Sequence, residues 1–148
     1  MERGPFGHII ERVKAFKANA GQIILEEAKE EEAVLVDLNQ EGQLAQGYGS
    51  DGKAIKPFYT EYTKLAKGLK GQPSEFVTLY DEGDFYAGFE VNNTKNGLEF
   101  GSTDEKTPDL LDKYGQRIFG LDNDNLQDFI DEYLRQRAVN RFRKEIFN

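Results

Sequence analysis

Residues 77–91 constrain the fold more than any other part of the chain: Val-Thr-Leu-Tyr-Asp-Glu-Gly-Asp-Phe-Tyr-Ala-Gly-Phe-Glu-Val. An apolar run leads into an acidic turn, Asp81, Glu82 and Asp84 around Gly83, and a second apolar run follows. Aspartate in such a turn caps backbone amides and glycine supplies a positive φ, so the segment reads as turn then strand. Strands are expected at 76–80, 85–92 and 98–102, the last two joined across Asn93-Thr94-Lys95-Asn96-Gly97. Asn-Gly between apolar alternations is a strong hairpin signal.

Helical periodicity dominates both ends. Phe6, Ile9, Ile10, Val13, Phe16, Ala20, Ile23 and Ile24 recur at three- and four-residue steps, which places them on one helical stripe. Pro5 suits its first turn, and Gly21 weakens it by about 1 kcal/mol relative to alanine. Residues 33–38 extend that stripe through Leu35 and Leu38 and are read as helix, although their β-branched content also suits a strand. Beyond Pro57, residues Tyr59, Tyr62, Thr63, Leu65 and Ala66 form a short helical pattern closed by Gly68, Gly71 and Pro73. Near the C-terminus Leu126, Phe129, Ile130, Tyr133, Leu134, Phe142 and Ile146 make a second long stripe, with acids early and bases late to suit the helix dipole. The expected fold class is therefore α+β, a small antiparallel sheet packed with long N-terminal and C-terminal helices in a single domain, 1–148, whose terminal helices act as assembly arms.

Composition narrows the function classes. With 148 residues and 38% hydrophobic content the chain is the size of one domain with one core. Its net charge of -8 opposes a phosphate backbone, so at most indirect contact with DNA is expected. The absence of cysteine removes disulfide and thiol chemistry. The apolar runs fall far short of a membrane span and Met-Glu-Arg-Gly-Pro does not resemble a signal peptide, so no membrane partner and synthesis in a cytosol are expected.

Motifs that imitate active sites each lack a part. Residues 47–53 spell Gly-x-x-x-x-Gly-Lys, but Ala54 replaces the hydroxyl residue that would hold magnesium and Pro57 interrupts the helix that should follow. Asp122, Asp124 and Asn125 start like a calcium loop without its glycine and distal glutamate, and read better as an acidic helix start. His8 is the single histidine and builds neither a triad nor a typical zinc site alone. The cluster Asp81, Glu82 and Asp84 has the chemistry for a divalent cation but reads first as turn structure. No catalytic, metal or cofactor residue is assigned, and the chain is read as not an enzyme.

A resemblance enters through the loops. Gln43-Leu44, Gly47, Ser50-Asp51-Gly52, Ile55, Tyr59, Gly71-Gln72-Pro73, Val77-Thr78-Leu79, Gly83-Asp84-Phe85-Tyr86 and Phe89 resemble small structural proteins of tailed bacteriophages and prophages. Thr103-Asp104, Lys106, Tyr114-Gly115 and Ile118-Phe119-Gly120-Leu121 are similar to the same group, so the resemblance covers roughly residues 43–126. It is closest in kind to the tail-completion, neck or virion-morphogenesis type. Glu82 stands where that group usually has threonine, and Gly88 where it often has serine.

The resemblance implies a noncatalytic virion subunit, a head-tail connector, neck or tail-completion protein. Such a subunit is made in the bacterial host cytoplasm, self-associates in a ring and contacts portal, neck or tail proteins. Interface candidates are Arg135, Arg137, Arg141 and Arg143 on the basic helix face, with Tyr48, Phe58 and Tyr59 as aromatic anchors. The acidic stretch 26–32 and the basic stretch 135–144 are expected to meet between copies. Two alternatives come from other classes: a stand-alone protein-binding module acting through the basic C-terminal helix, and a metal-dependent hydrolase using Asp81, Glu82 and Asp84.

Overall fold

The computed structural model describes residues 7–148, so the expectations for Pro5 and Phe6 lie outside the described residues. The architecture is α+β, with a two-stranded antiparallel sheet between long terminal helices. Helix α1 spans Gly7–Glu30 and helix α2 spans Glu32–Gln40, separated only at Glu31, where φ -102 and ψ 32 interrupt the turn. Residues 33–38 are thus helical, as the stripe through Leu35 and Leu38 indicates, and Leu35 and Ala28 are both buried. The short helix α3 spans Glu61–Leu69, started by Thr60, whose hydroxyl accepts from the Thr63 amide at 3.2 Å.

The central cassette departs from the expected strand pattern at two places. Residues 76–80 pair with no strand; side chains satisfy the backbone there instead. The Tyr59 hydroxyl accepts from the Thr78 and Leu79 amides at 3.0 and 3.3 Å, and the Tyr86 hydroxyl donates to the Thr78 carbonyl at 2.5 Å. Leu79, at φ 60, breaks the extended run outright. The second departure is helix α4, Asp84–Ala87, which occupies the start of the expected strand. Phe85 and Phe89 lie four residues apart with ring centroids 5.0 Å from each other, a spacing that suits a helical turn as well as an alternation. Gly83 does supply the expected left-handed residue, at φ +93, directly before α4.

Strand β1, Phe89–Thr94, pairs with strand β2, Gly97–Ser102, from Phe89 opposite Ser102 to Thr94 opposite Gly97. Lys95 and Asn96 make the turn, and Gly97 takes φ +133 beyond it. A two-stranded sheet is marginal without support. One cluster supplies it with Val91, Ala28, Leu35 and Phe129, and a second centres on Leu44, Ile55, Val77, Phe85 and Ile118; Phe100 packs against both. At Gly88 an added Cβ would fall 2.7 Å from the Ser102 hydroxyl and 2.9 Å from that of Thr103. A serine at this position would collide with β2's end.

The open edge of β1 is closed by a charged pair on α1 and α2. Glu32 accepts from the Val91 amide at 2.7 Å and from the Lys29 ammonium at 2.6 Å, and Lys29 also donates to the Val91 carbonyl. Together these two side chains imitate a neighbouring strand at one residue, which also protects the edge from foreign pairing. The Lys29 hydrogen bond, followed by that of Val91, holds the Glu32 carboxyl below its ordinary range. A lowered folded-state pKa gives stability that is fully present above the unfolded value and lost as pH falls through the folded one. Urea midpoints should therefore decline on acidification below the ordinary glutamate range, and Glu32→Gln should start lower at neutral pH and decline less. An identical acid profile in the variant would show that the clamp does not contribute.

The C-terminal half follows with helix α5, Thr107–Tyr114, helix α6, Asn123–Phe129, and helix α7, Arg135–Phe147. Asp122 caps α6 by accepting from the Asn125 amide at 2.8 Å, in keeping with an acidic helix start. The single long helix expected here is divided by a π-helical turn at Ile130–Leu134. Phe129, before the turn, and Ile146, beyond it, are buried, while Leu126 and Tyr133 reach the surface.

Polar side chains fasten this half to the first. Asn39 is 0% exposed; its carbonyl accepts from the Gly120 amide at 2.9 Å and its amide donates to the Ile118 carbonyl at 3.2 Å. One helical turn later Gln43 donates to the Gly120 carbonyl at 2.9 Å and accepts from the Asp122 amide at 2.8 Å. The segment 118–122 is thereby held by two buried amides as a strand would be held by its neighbour.

Candidate functional site

A cavity with mainly apolar walls lies between α3 and the strained segment before α4, with a volume of about 370 Å³. Leu79, Phe85 and Leu110 give it apolar walls, and Tyr59, Tyr62 and Tyr80 contribute rings. The fold builds it by laying α3 over residues 79–84 through polar ties. Lys67 donates to the Tyr80 carbonyl at 2.6 Å, Gln72 to the Asp81 carbonyl at 2.6 Å, and Lys70 to the Asp81 carboxylate at 2.7 Å. Lys67 is the unusual member. It is 7% exposed, its ammonium sits 4.8 Å over the Tyr59 ring, and among the described residues it forms no ion pair.

Asp81, Glu82 and Asp84 all border this cavity. Their roles are nevertheless different. Asp81 is engaged by Lys70, whose hydrogen bond is the main cause that holds the carboxyl below its ordinary range; the charges of Lys67 and Lys106 act in the same direction. Asp84 opens α4. Among the described residues no three histidine, cysteine or acidic groups gather in a metal-binding arrangement. Burial pushes the Tyr86 and Tyr114 phenols up, so both stay neutral, and Tyr86 donates to the Thr78 carbonyl. The glycine loop 47–53 closes on itself through a Tyr48–Ala54 bridge and an Asp51 carboxylate that accepts from the Lys53 amide at 3.0 Å; the next helix begins only at Glu61.

The expected interface residues divide into engaged and open groups. Arg137 lies 3.3 Å from Glu27 and 3.2 Å from Glu31. Arg141 reaches Glu26, Glu27 and Glu145 at 3.3, 3.0 and 2.8 Å. The acidic stretch 26–32 and the basic stretch 135–144 therefore meet within one chain, along the antiparallel seam of α1 and α7, where they were expected to meet between copies. Arg135 pairs with Asp131 at 2.7 Å on its own helix. Arg143 is exposed and forms no ion pair among the described residues.

Tyr48 and Phe58 stand exposed, but Tyr59 does not serve as an open anchor, because its hydroxyl holds the 78–79 backbone and its ring lies beneath Lys67. His8 is exposed on α1.

On the outer face of α3 the sequence points to Tyr62 as a plausible aromatic anchor, without Leu65 and Leu69. Tyr62, Leu65 and Leu69 are 81%, 65% and 82% exposed at three- and four-residue spacing, so the helix carries an apolar stripe to solvent; Tyr62 stands at the rim of the cavity, which Thr63, Ala66 and Lys67 also line. The sequence signal was present in the same short helical pattern, where Tyr62 and Leu65 stand three residues apart. Ile10, Val13, Val139 and Phe147 are further large apolar side chains left outside on α1 and α7. No family model, curated protein or solved structure matches the chain.

Proposed function

We propose that the chain is a noncatalytic structural subunit of a tailed-bacteriophage virion, a head-tail connector, neck or tail-completion protein that works by packing against copies of itself and its neighbours. The observation that carries this reading is the amount of apolar surface on regular elements, above all the α3 stripe of Tyr62, Leu65 and Leu69. Contiguous apolar surface of this kind marks protein contact sites. The resemblance over residues 43–126 supports the virion assignment and the ring. Among the described residues no helix is long and apolar enough to cross a membrane. On this reading the subunit is made in the host cytoplasm, works in the virion and touches packaged DNA at most indirectly.

The binding-module alternative draws less support, since Arg137 and Arg141 are committed to Glu26, Glu27 and Glu31 and the open basic face shrinks to Arg143 and its neighbour Lys144. The hydrolase alternative rests on a carboxylate, Asp81, already bound to Lys70.

Light scattering and electron microscopy of the purified chain over a wide concentration range test the proposal. Closed rings are expected, and Tyr62→Lys with Leu69→Lys should abolish them without lowering the melting temperature, because both positions are exposed. A chain that stays monomeric at every concentration, or rings unaffected by the double variant, would remove the α3 stripe from the argument.

A further inference from the structure

The buried ammonium of Lys67 points to a ligand. We propose that the cavity beneath α3 binds a small aromatic carboxylate, the ring between the tyrosines and the carboxylate on Lys67. It shares only the rim residue Tyr62 with the assembly reading and does not rest on it.

Size comes first: about 370 Å³ is within the range of small-molecule sites, and the walls combine apolar residues with a few polar groups as such sites do. Tyr59, Tyr62 and Tyr80 offer ring faces and edges that favour aromatic over aliphatic guests. Charge comes next. An ammonium has three donors, and that of Lys67 spends one on the Tyr80 carbonyl at 2.6 Å, lies over the Tyr59 ring and acts on Asp81 without forming an ion pair with it. A buried charge without a direct ion pair is costly to the fold, and a bound carboxylate would supply that pair. Lys70 and Lys106 line the same cavity. These two and Lys67 all act on Asp81, which Lys70 already pairs, so the three cations balance the three acids of the lining. Glu82 and Asp84 also border the space, which opposes a dianion such as phosphate more than a single carboxylate.

Backbone strain marks the same place. Leu79 lines the cavity at φ 60, a conformation that is an outlier for a bulky side chain. Three hydroxyls hold the segment there: Tyr59 accepts from the Thr78 and Leu79 amides, Tyr86 donates to the Thr78 carbonyl, and Thr78 accepts from the Tyr80 amide at 3.3 Å. Strain that the surroundings over-determine in this way gathers at ligand sites.

The test is a titration of the full-length ¹⁵N-labelled chain with phenylacetate, its neutral isostere phenylacetamide and inorganic phosphate. Saturable shifts confined to α3 and residues 79–85 are expected with phenylacetate, with binding about tenfold or more tighter than that of the amide, as charged hydrogen bonds allow. Phosphate should produce no saturable shift there. Lys67→Met should bring phenylacetate down to the level of the amide. Lys67→Gln keeps a donor for Tyr80 and carries the same expectation where the methionine variant does not fold. Equal binding of acid and amide, an absence of saturable shifts, or full phenylacetate affinity in a folded Lys67 variant would overturn the proposal.

Discussion

Asn39→Asp should lower the melting temperature by roughly 10 °C, among the largest effects open to a one-atom change in this chain. The side chain is 0% exposed and reads two backbone groups at once, accepting from Gly120 and donating to Ile118. Aspartate keeps the first bond and loses the second. It also sets an anion against a carbonyl oxygen, and an uncompensated buried charge costs about 3–5 kcal/mol. For a chain of this size each kcal/mol moves the midpoint by about 2–4 °C.

The pH dependence identifies the cause. Burial without a cation raises the folded-state pKa of the new carboxyl above its unfolded value, so the loss is complete above the folded pKa and shrinks as pH falls through it. Asn39→Leu should also destabilise, because the Ile118 carbonyl and Gly120 amide lose their partner at about 1–3 kcal/mol each, but without that pH dependence relative to wild type. Calorimetry from neutral to acid pH separates the two. An aspartate variant that melts with the wild type would mean that the 118–122 segment does not depend on this amide.

Asn39 also shows where the sequence stops being legible. In a helical pattern an asparagine between Leu38 and Gln40 looks like part of a solvated face, and nothing local says that a distant loop will cover it. The same holds for Gln43, which bonds the backbone at residues 120 and 122. The hairpin, by contrast, was readable, because Asn96-Gly97 and the flanking alternation are local signals, as was the left-handed Gly83. Residues 76–80 look like a strand because Val77, Leu79 and their neighbours alternate; tyrosine hydroxyls from 59 and 86 replace the ladder, and hydroxyl partners leave no periodic trace. The cavity was half visible. Its acidic rim was weighed as a turn, but Lys67 gave no signal, since a lysine inside a short helix is ordinarily a solvated residue and only the packing of α3 over Tyr80 buries it.

Reversing both arginines of the α1–α7 seam should open the arm while the body stays folded. In Arg137→Glu with Arg141→Glu, the contacts to Glu26, Glu27 and Glu31 become repulsions between like charges. What remains of the distal seam is the edge-on contact of Phe16 with Phe142 at 5.1 Å, the buried Ile146, and Arg12 donating to the Ile146 carbonyl at 3.0 Å. Isolated helices are marginal in water, so amide exchange along the first half of α1 and along α7 should rise toward that of an unpaired helix. The sheet and the cluster around Ile55 and Ile118 should keep their protection, since neither cluster draws on the distal seam.

Adding Glu27→Lys to the double variant should restore part of the protection, because Glu27 is the carboxylate that both arginines reach. High salt should weaken the wild-type seam in the same direction and by less, as screening acts on pairs that are partly exposed. Unchanged exchange in the double variant would make the seam apolar in origin. Either outcome bears on assembly: an opened arm displaces Ile10, Val13 and Phe147 together, so loss of rings in that variant would report arm integrity, whereas Arg143→Glu, with no ion pair to lose among the described residues, isolates a direct contact of the basic face.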